Sequence, residues 1–170
     1  MKARFLGSVI CGMLFPLLAY NQHVPSHEEE AVAMITQIYT EVSAENAEQV
    51  DWNKIRSFFV EEAVIVLKTS REGNSQFTLE EFIQDFKDFY ETPAARQYGF
   101  KEEVLQVKAE VHKELAFVAV VYASSFPKAD RPPQKGIDFW LLTRKDKAWK
   151  VVAVTNEIVL PGEEIPEMFE

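Results

Sequence analysis

Asp138, Tyr122, Trp140 and Trp149 are the residues whose types suit chemistry on a small organic molecule. Asp138 lies in the apolar run Ile137-Asp138-Phe139-Trp140. A carboxyl in an apolar cavity holds its proton more tightly, and proton abstraction beside a carbonyl needs a base of that kind. The plainer role is a carboxylate bonded to a neighbouring hydroxyl or cation. Tyr122 has the hydroxyl to donate to a developing oxyanion, or it is a core tyrosine with a wet tip. Trp140 and Trp149 offer rings to stack on a ligand, against the alternative of hairpin packing. Glu157 reads as a solvated acid at a strand end. The three histidines add little. His112 falls on the polar side of an alternating segment, and Pro25 between His23 and His27 breaks the helical spacing a metal pair requires.

Composition removes other chemistries. The single cysteine, Cys11, excludes a disulfide within the chain and a cysteine-based zinc site. Eighteen basic against twenty-seven acidic residues give a formal charge of -9, the wrong sign for nucleic acid. Forty-seven per cent hydrophobic residues suffice for a core in a chain of 170 residues, the length of one domain. There is no G-x-S-x-G elbow, P-loop or dinucleotide fingerprint, so neither a cofactor nor a metal is expected.

These side chains must be positioned by local elements. Lys2 and Arg4 precede the uncharged run Phe5 to Tyr20, the order of a secretory signal peptide. Residues 1–22 are therefore expected to be removed on export to the periplasm or outside the cell, leaving a more acidic chain with no affinity for membrane, with an uncleaved anchor and lipidation at Cys11 as the alternatives. Ser26 and Glu29 form a capping box before the stripe Ala31, Met34, Ile35, Ile38, Tyr39 and Val42, which predicts a helix. A second helix is expected over about 48–59, carrying Trp52, Ile55 and Phe59. Ala63 to Leu67 is a buried strand by its β-branched run, followed by a turn over 71–75. Thr78 and Glu81 cap a third helix with Phe82, Ile83, Phe86, Phe89 and Tyr90 on one side, and Pro93 ends it.

From Phe100 the period becomes two. Leu105, Val107, Ala109 and Val111 alternate with Gln106, Lys108, Glu110 and His112, which reads as an antiparallel strand with one wet face. Leu115 to Ala123 is apolar on both faces, 126–135 is a proline-rich loop, and Ile137 to Thr143 and Trp149 to Ile158 form a closing hairpin. Helices followed by a meander indicate an α+β fold.

At the level of ordered motifs the chain resembles the NTF2-like superfamily, which includes SnoaL-like and ketosteroid-isomerase-like proteins. The resemblance rests on Phe58-Phe59-Val60-Glu61-Glu62-Ala63-Val64, Thr78-Leu79-Glu80-Glu81-Phe82 and Lys147-Ala148-Trp149-Lys150-Val151-Val152. Lys135 to Leu142 and Glu164-Ile165-Pro166-Glu167 are similar to an exported bacterial branch. It implies a cystatin-like cone over residues 26–167, in which about three N-terminal helices pack on a curved, mostly antiparallel sheet around a pocket. Ketosteroid isomerases carry their catalytic aspartate after the segment like Glu61 to Val64, but here Ile65, Val66, Leu67 and Lys68 follow. Isomerase chemistry by that arrangement is therefore not expected.

A register argument gathers the pocket. If Arg144 opposes Trp149, regular pairing sets Trp140 opposite Ala153 and Asp138 opposite Thr155. Asp138, Trp140 and Thr155, with Tyr122, Trp52 and Phe86, then become the candidate pocket lining, and Asp138 with Tyr122 the candidate catalytic pair. The opposite face, with Phe139 and Val152, is expected to pack on a second copy of the chain. Three functions remain open: binding of a small, largely apolar molecule, cofactor-independent isomerisation or elimination by a pocket acid, and a dimeric scaffold without ligand.

Overall fold

The computed structural model describes residues 24–70 and 73–166, with backbone alone at 69 and 70. The expected signal peptide at 1–22, with Cys11, lies outside the described residues, as do His23, Arg71, Glu72 and Glu167. Helix α1 spans His27–Glu41 behind the Ser26 capping box, where the Ser26 Oγ accepts from the Glu29 N–H and the Glu29 carboxylate accepts from the Ser26 N–H. Two of the backbone donors at the helix start are thereby satisfied. Its apolar stripe buries Ala31, Ile35, Ile38 and Tyr39.

The expected second helix is divided. A 3-10 turn over Ala47–Gln49 is capped by Asn46, and α2 covers only Trp52–Ser57 behind an Asp51 cap. Two competing side-chain caps, Asn46 and Asp51, interrupt what periodicity reads as one helix. Phe59 instead opens strand β1, Phe59–Ser70, which pairs with β2, Gly73–Phe77. Residues 73–75 thus belong to a strand rather than to the expected turn.

Helix α3, Leu79–Tyr90, starts at the Thr78 capping box, as its sequence indicates. Pro93 does more than end it. With its ring-fixed φ and no N–H to satisfy, Pro93 starts α4, Pro93–Tyr98, beneath a Thr92 cap. Strands β3 (Lys101–His112), β4 (Leu115–Ser125), β5 (Gln134–Lys145) and β6 (Ala148–Val159) complete the sheet.

The six strands form one sheet ordered β2-β1-β6-β5-β4-β3, antiparallel except where β1 runs beside β6. Helix α1 lies across β3 and β4, and α3 packs on β1, so the helices cover one face. A two-residue turn, Asp146 and Lys147 at φ 51° and 66°, closes the β5–β6 hairpin and fixes Arg144 opposite Trp149.

Two irregularities set what faces inward. On β6 Leu142 pairs with Val151 but Leu141 pairs with Ala153, so Val152 is an extra residue. On β3 Val104 pairs with Tyr122 while Gln106 pairs with Val121, which makes Leu105 the extra residue. Each bulge bends its strand and exchanges the faces beyond it. Leu105 consequently points outward, 44 % exposed, instead of continuing the apolar face of β3. Among the described residues no helix is long and apolar enough to cross a membrane.

Candidate functional site

The inner face of β5 presents Gly136, Asp138, Trp140 and Leu142, all buried. Among the described residues Asp138 is the one charged side chain in the core, 7 % exposed. Its neighbour is a residue that sequence reading assigns only to packing. Tyr39, on the inward stripe of α1, donates its hydroxyl to Asp138 Oδ2. Trp140 Nε1 donates to the same hydroxyl at 3.2 Å. Trp140, Tyr39 and Asp138 therefore form a chain of donors ending on a carboxyl. Asp138 Oδ1 is enclosed and has no hydrogen-bond partner among the described residues.

Tyr122 enters from β4 directly opposite Gly136. A Cβ at position 136 would stand 2.4 Å from the tyrosine Cζ, so the bare glycine is what lets the ring cross β5. The Tyr122 hydroxyl accepts from Asn156 Nδ2 at 3.2 Å, and Asn156 Oδ1 accepts from the Lys68 N–H at 2.6 Å.

These groups surround a cavity of about 70 Å³, walled by Ile38, Val42, Leu67, Phe82, Phe86 and Val154, with Glu102 at its β3 side. Water-sized groups occupy roughly 10–15 Å³ each on this measure, so there is room for about five heavy atoms. Burial pushes Asp138 up to about 7, against the lowering effect of the Tyr39 hydrogen bond. Burial pushes Glu102 up to about 8, and the charge of Asp138 adds to it. Burial and the same carboxylate raise Tyr39 well above its ordinary value, and Tyr122 is raised likewise.

The structure brings Asp138, Tyr122, Trp140 and Phe86 together at this cavity. Thr155 is not among them. The extra residue at Val152 puts Asn156, not Thr155, opposite Asp138, and Thr155 is exposed on the outer face. Trp52 also stands apart, because the short α2 packs it on α3. Its ring centroid is 6.3 Å from that of Phe86 and 6.3 Å from that of Tyr90, with Lys87 Nζ 5.7 Å over it. Trp149 has a packing role, donating from Nε1 to the His27 carbonyl at 3.1 Å and so tying α1 to the hairpin. His112 and Glu157 are exposed.

Tyr39, Glu102 and Asn156 are the residues sequence reading misses. A hydroxyl on an otherwise aliphatic stripe marks Tyr39, whereas Glu102 and Asn156 reach the cavity only through bulges. Among the described residues no group of three His, Cys, Asp or Glu side chains could hold a metal ion. A wider depression of about 740 Å³ lies between 132–135 and 158–163, but its charged residues, Lys135 and Glu163, are exposed.

Solved structures with the same architecture decide the fold. An NTF2-like protein of unknown function from Pseudomonas putida KT2440 superposes with a TM-score of 0.64 at 12% identity, over 84% of this chain and 91% of its own. An NTF2-like protein with a cystatin-like fold from Novosphingobium aromaticivorans matches at 0.62 and 13%, over 79% and 82%. The chain has the NTF2-like fold. A cystatin-like domain of unknown function from Nostoc punctiforme matches this NTF2-like chain at 0.60 and 18%, over 82% of each. No protein-family model matches the sequence, and no curated protein is similar to it in sequence.

Proposed function

We propose that the inner cavity of this NTF2-like domain binds a small, largely apolar organic molecule and holds its polar group against Asp138. The observation that carries this reading is Asp138 Oδ1, enclosed and without a partner among the described residues, at a cavity that apart from Glu102 and Asn156 is lined by aliphatic and aromatic side chains. An unsatisfied buried polar atom costs about 1–3 kcal/mol, a cost that a complementary ligand removes. In this reading the domain works outside the cytoplasm, once residues 1–22 are gone.

A screen of small metabolites by thermal shift tests it, since a ligand that binds only the folded state raises the midpoint. Hits should lose their shift in Asp138→Asn and in Trp140→Ala, with both variants still folded by circular dichroism. Shifts that survive both substitutions would place binding elsewhere.

One observation favours a second reading, proton transfer. A carboxyl at about 7 is poised to exchange protons near neutral pH, and the Tyr39 and Tyr122 hydroxyls stand at the same cavity. In deuterated buffer a bound small ketone should then exchange its α-hydrogens in the wild type and not in Asp138→Asn. Equal exchange in the two proteins removes this reading.

A further inference from the structure

We infer that the polar group this cavity takes is an ammonium, so that the ligand is a short aliphatic amine seated between Glu102 and Asp138. The inference rests on the binding reading above and names its ligand class. Four features of the cavity point the same way.

The first is charge. Among the described residues the two charged side chains that line the cavity are both acids, approaching from β3 and β5, and no lysine, arginine or histidine lines it. An anionic ligand would meet two carboxyls with nothing to offset them. The second is the hydrogen-bond inventory. Tyr39 already satisfies Asp138 Oδ2, and Asn156 already serves Tyr122 and the Lys68 N–H. What remains open is Asp138 Oδ1, which has no partner among the described residues, beside the Glu102 carboxyl and the Tyr122 O–H at the same cavity. An ammonium brings three donors, which the two carboxyls accept once its charge has ionised them.

The third is the wall. The rings of Tyr39, Phe82, Phe86, Tyr122 and Trp140 border the same space. Aromatic faces attract a cation most strongly where water is excluded. The fourth is size, because about 70 Å³ accommodates an amine of about four carbons. The net charge of -9 also favours the approach of a cation.

The raised proton affinity of both carboxyls follows from this geometry and supplies a second readout. A bound cation favours their ionised forms, so binding near neutral pH must release protons. Tyr39 on α1, Tyr90 on α3 and Tyr122 on β4 are the other titratable groups that feel these acids, and all three have raised values and stay neutral. The protons released therefore come from the carboxyls.

The test is isothermal calorimetry on the full chain at pH 7 and fixed ionic strength, with n-butylammonium, 2-butanone and butyrate as probes. Butylammonium should bind at least about tenfold more tightly than 2-butanone, butyrate should not bind, and the measured heat should vary with buffer ionisation enthalpy. Glu102→Gln should weaken butylammonium about ten- to a hundredfold while leaving 2-butanone unchanged. Asp138→Asn, which keeps an acceptor for Tyr39, should weaken it similarly if Glu102→Gln fails to fold. Tighter binding of 2-butanone than of butylammonium overturns the amine assignment and leaves the binding reading standing. Binding of none of the three overturns both.

Discussion

At the scale of single residues the cavity is organised by a carboxyl that carries its proton into the neutral range. Asp138 moves from 3.8 to about 7 because burial penalises its charge. The folded protein therefore holds this proton more tightly than the unfolded chain does. Its contribution to stability is complete below about pH 4 and is lost as pH rises through about 7, a difference on the order of 4 kcal/mol. Glu102 extends the decline toward about 8. The melting temperature of the wild type is expected to fall between pH 5 and pH 8 by several degrees more than that of Asp138→Asn. Parallel curves for the two proteins would show that Asp138 is not the titrating group. The sequence identifies Asp138 as the acid to watch, since it interrupts an apolar strand. It could not identify Tyr39 as its donor, because the two residues are 99 positions apart and meet only when α1 lies on the sheet.

At the scale of elements, the capping boxes of α1 and α3 were legible because a helix start is specified within four residues. Val107 to His112 on β3 and the turn of the last hairpin were legible for the same local reason, although the bulge at Leu105 breaks the alternation read there. The bulge on β6 was not. Val151-Val152-Ala153-Val154 is apolar at every position, so no alternation fixes which residue is extra. The consequence is the exchange of Thr155 for Asn156 at the cavity. Asn156→Ala removes the partner of the Lys68 N–H and of Tyr122, and should cost about 1–3 kcal/mol. Thr155→Ala, on the exposed face, should stay within about 0.5 kcal/mol. Urea denaturation of both variants measures the difference, and a larger loss for Thr155→Ala than for Asn156→Ala would mean that Thr155, not Asn156, faces inward.

At the scale of the whole molecule, the helices cover one face of the sheet, and among the described residues nothing covers the other. Phe117 and Leu141 are 38 % and 48 % exposed there, beside a Phe117–Phe139 ring pair at 5.5 Å. We propose that a second copy of the chain covers this face through a two-fold pairing of β4 and β5. Light scattering at micromolar concentration should then give a dimer for the wild type and a monomer for Leu141→Glu, and a monomeric wild type would end the proposal. By itself the sequence determined what is local or additive: acidic charge, caps, helical and strand periods, and the order of elements that makes an α+β fold. Only the tertiary structure decided which side chains share the cavity. Tyr39, Glu102 and Asn156 reach Asp138 through the docking of α1 and through two one-residue bulges, and such placements are set by close packing between distant segments, which no local pattern encodes.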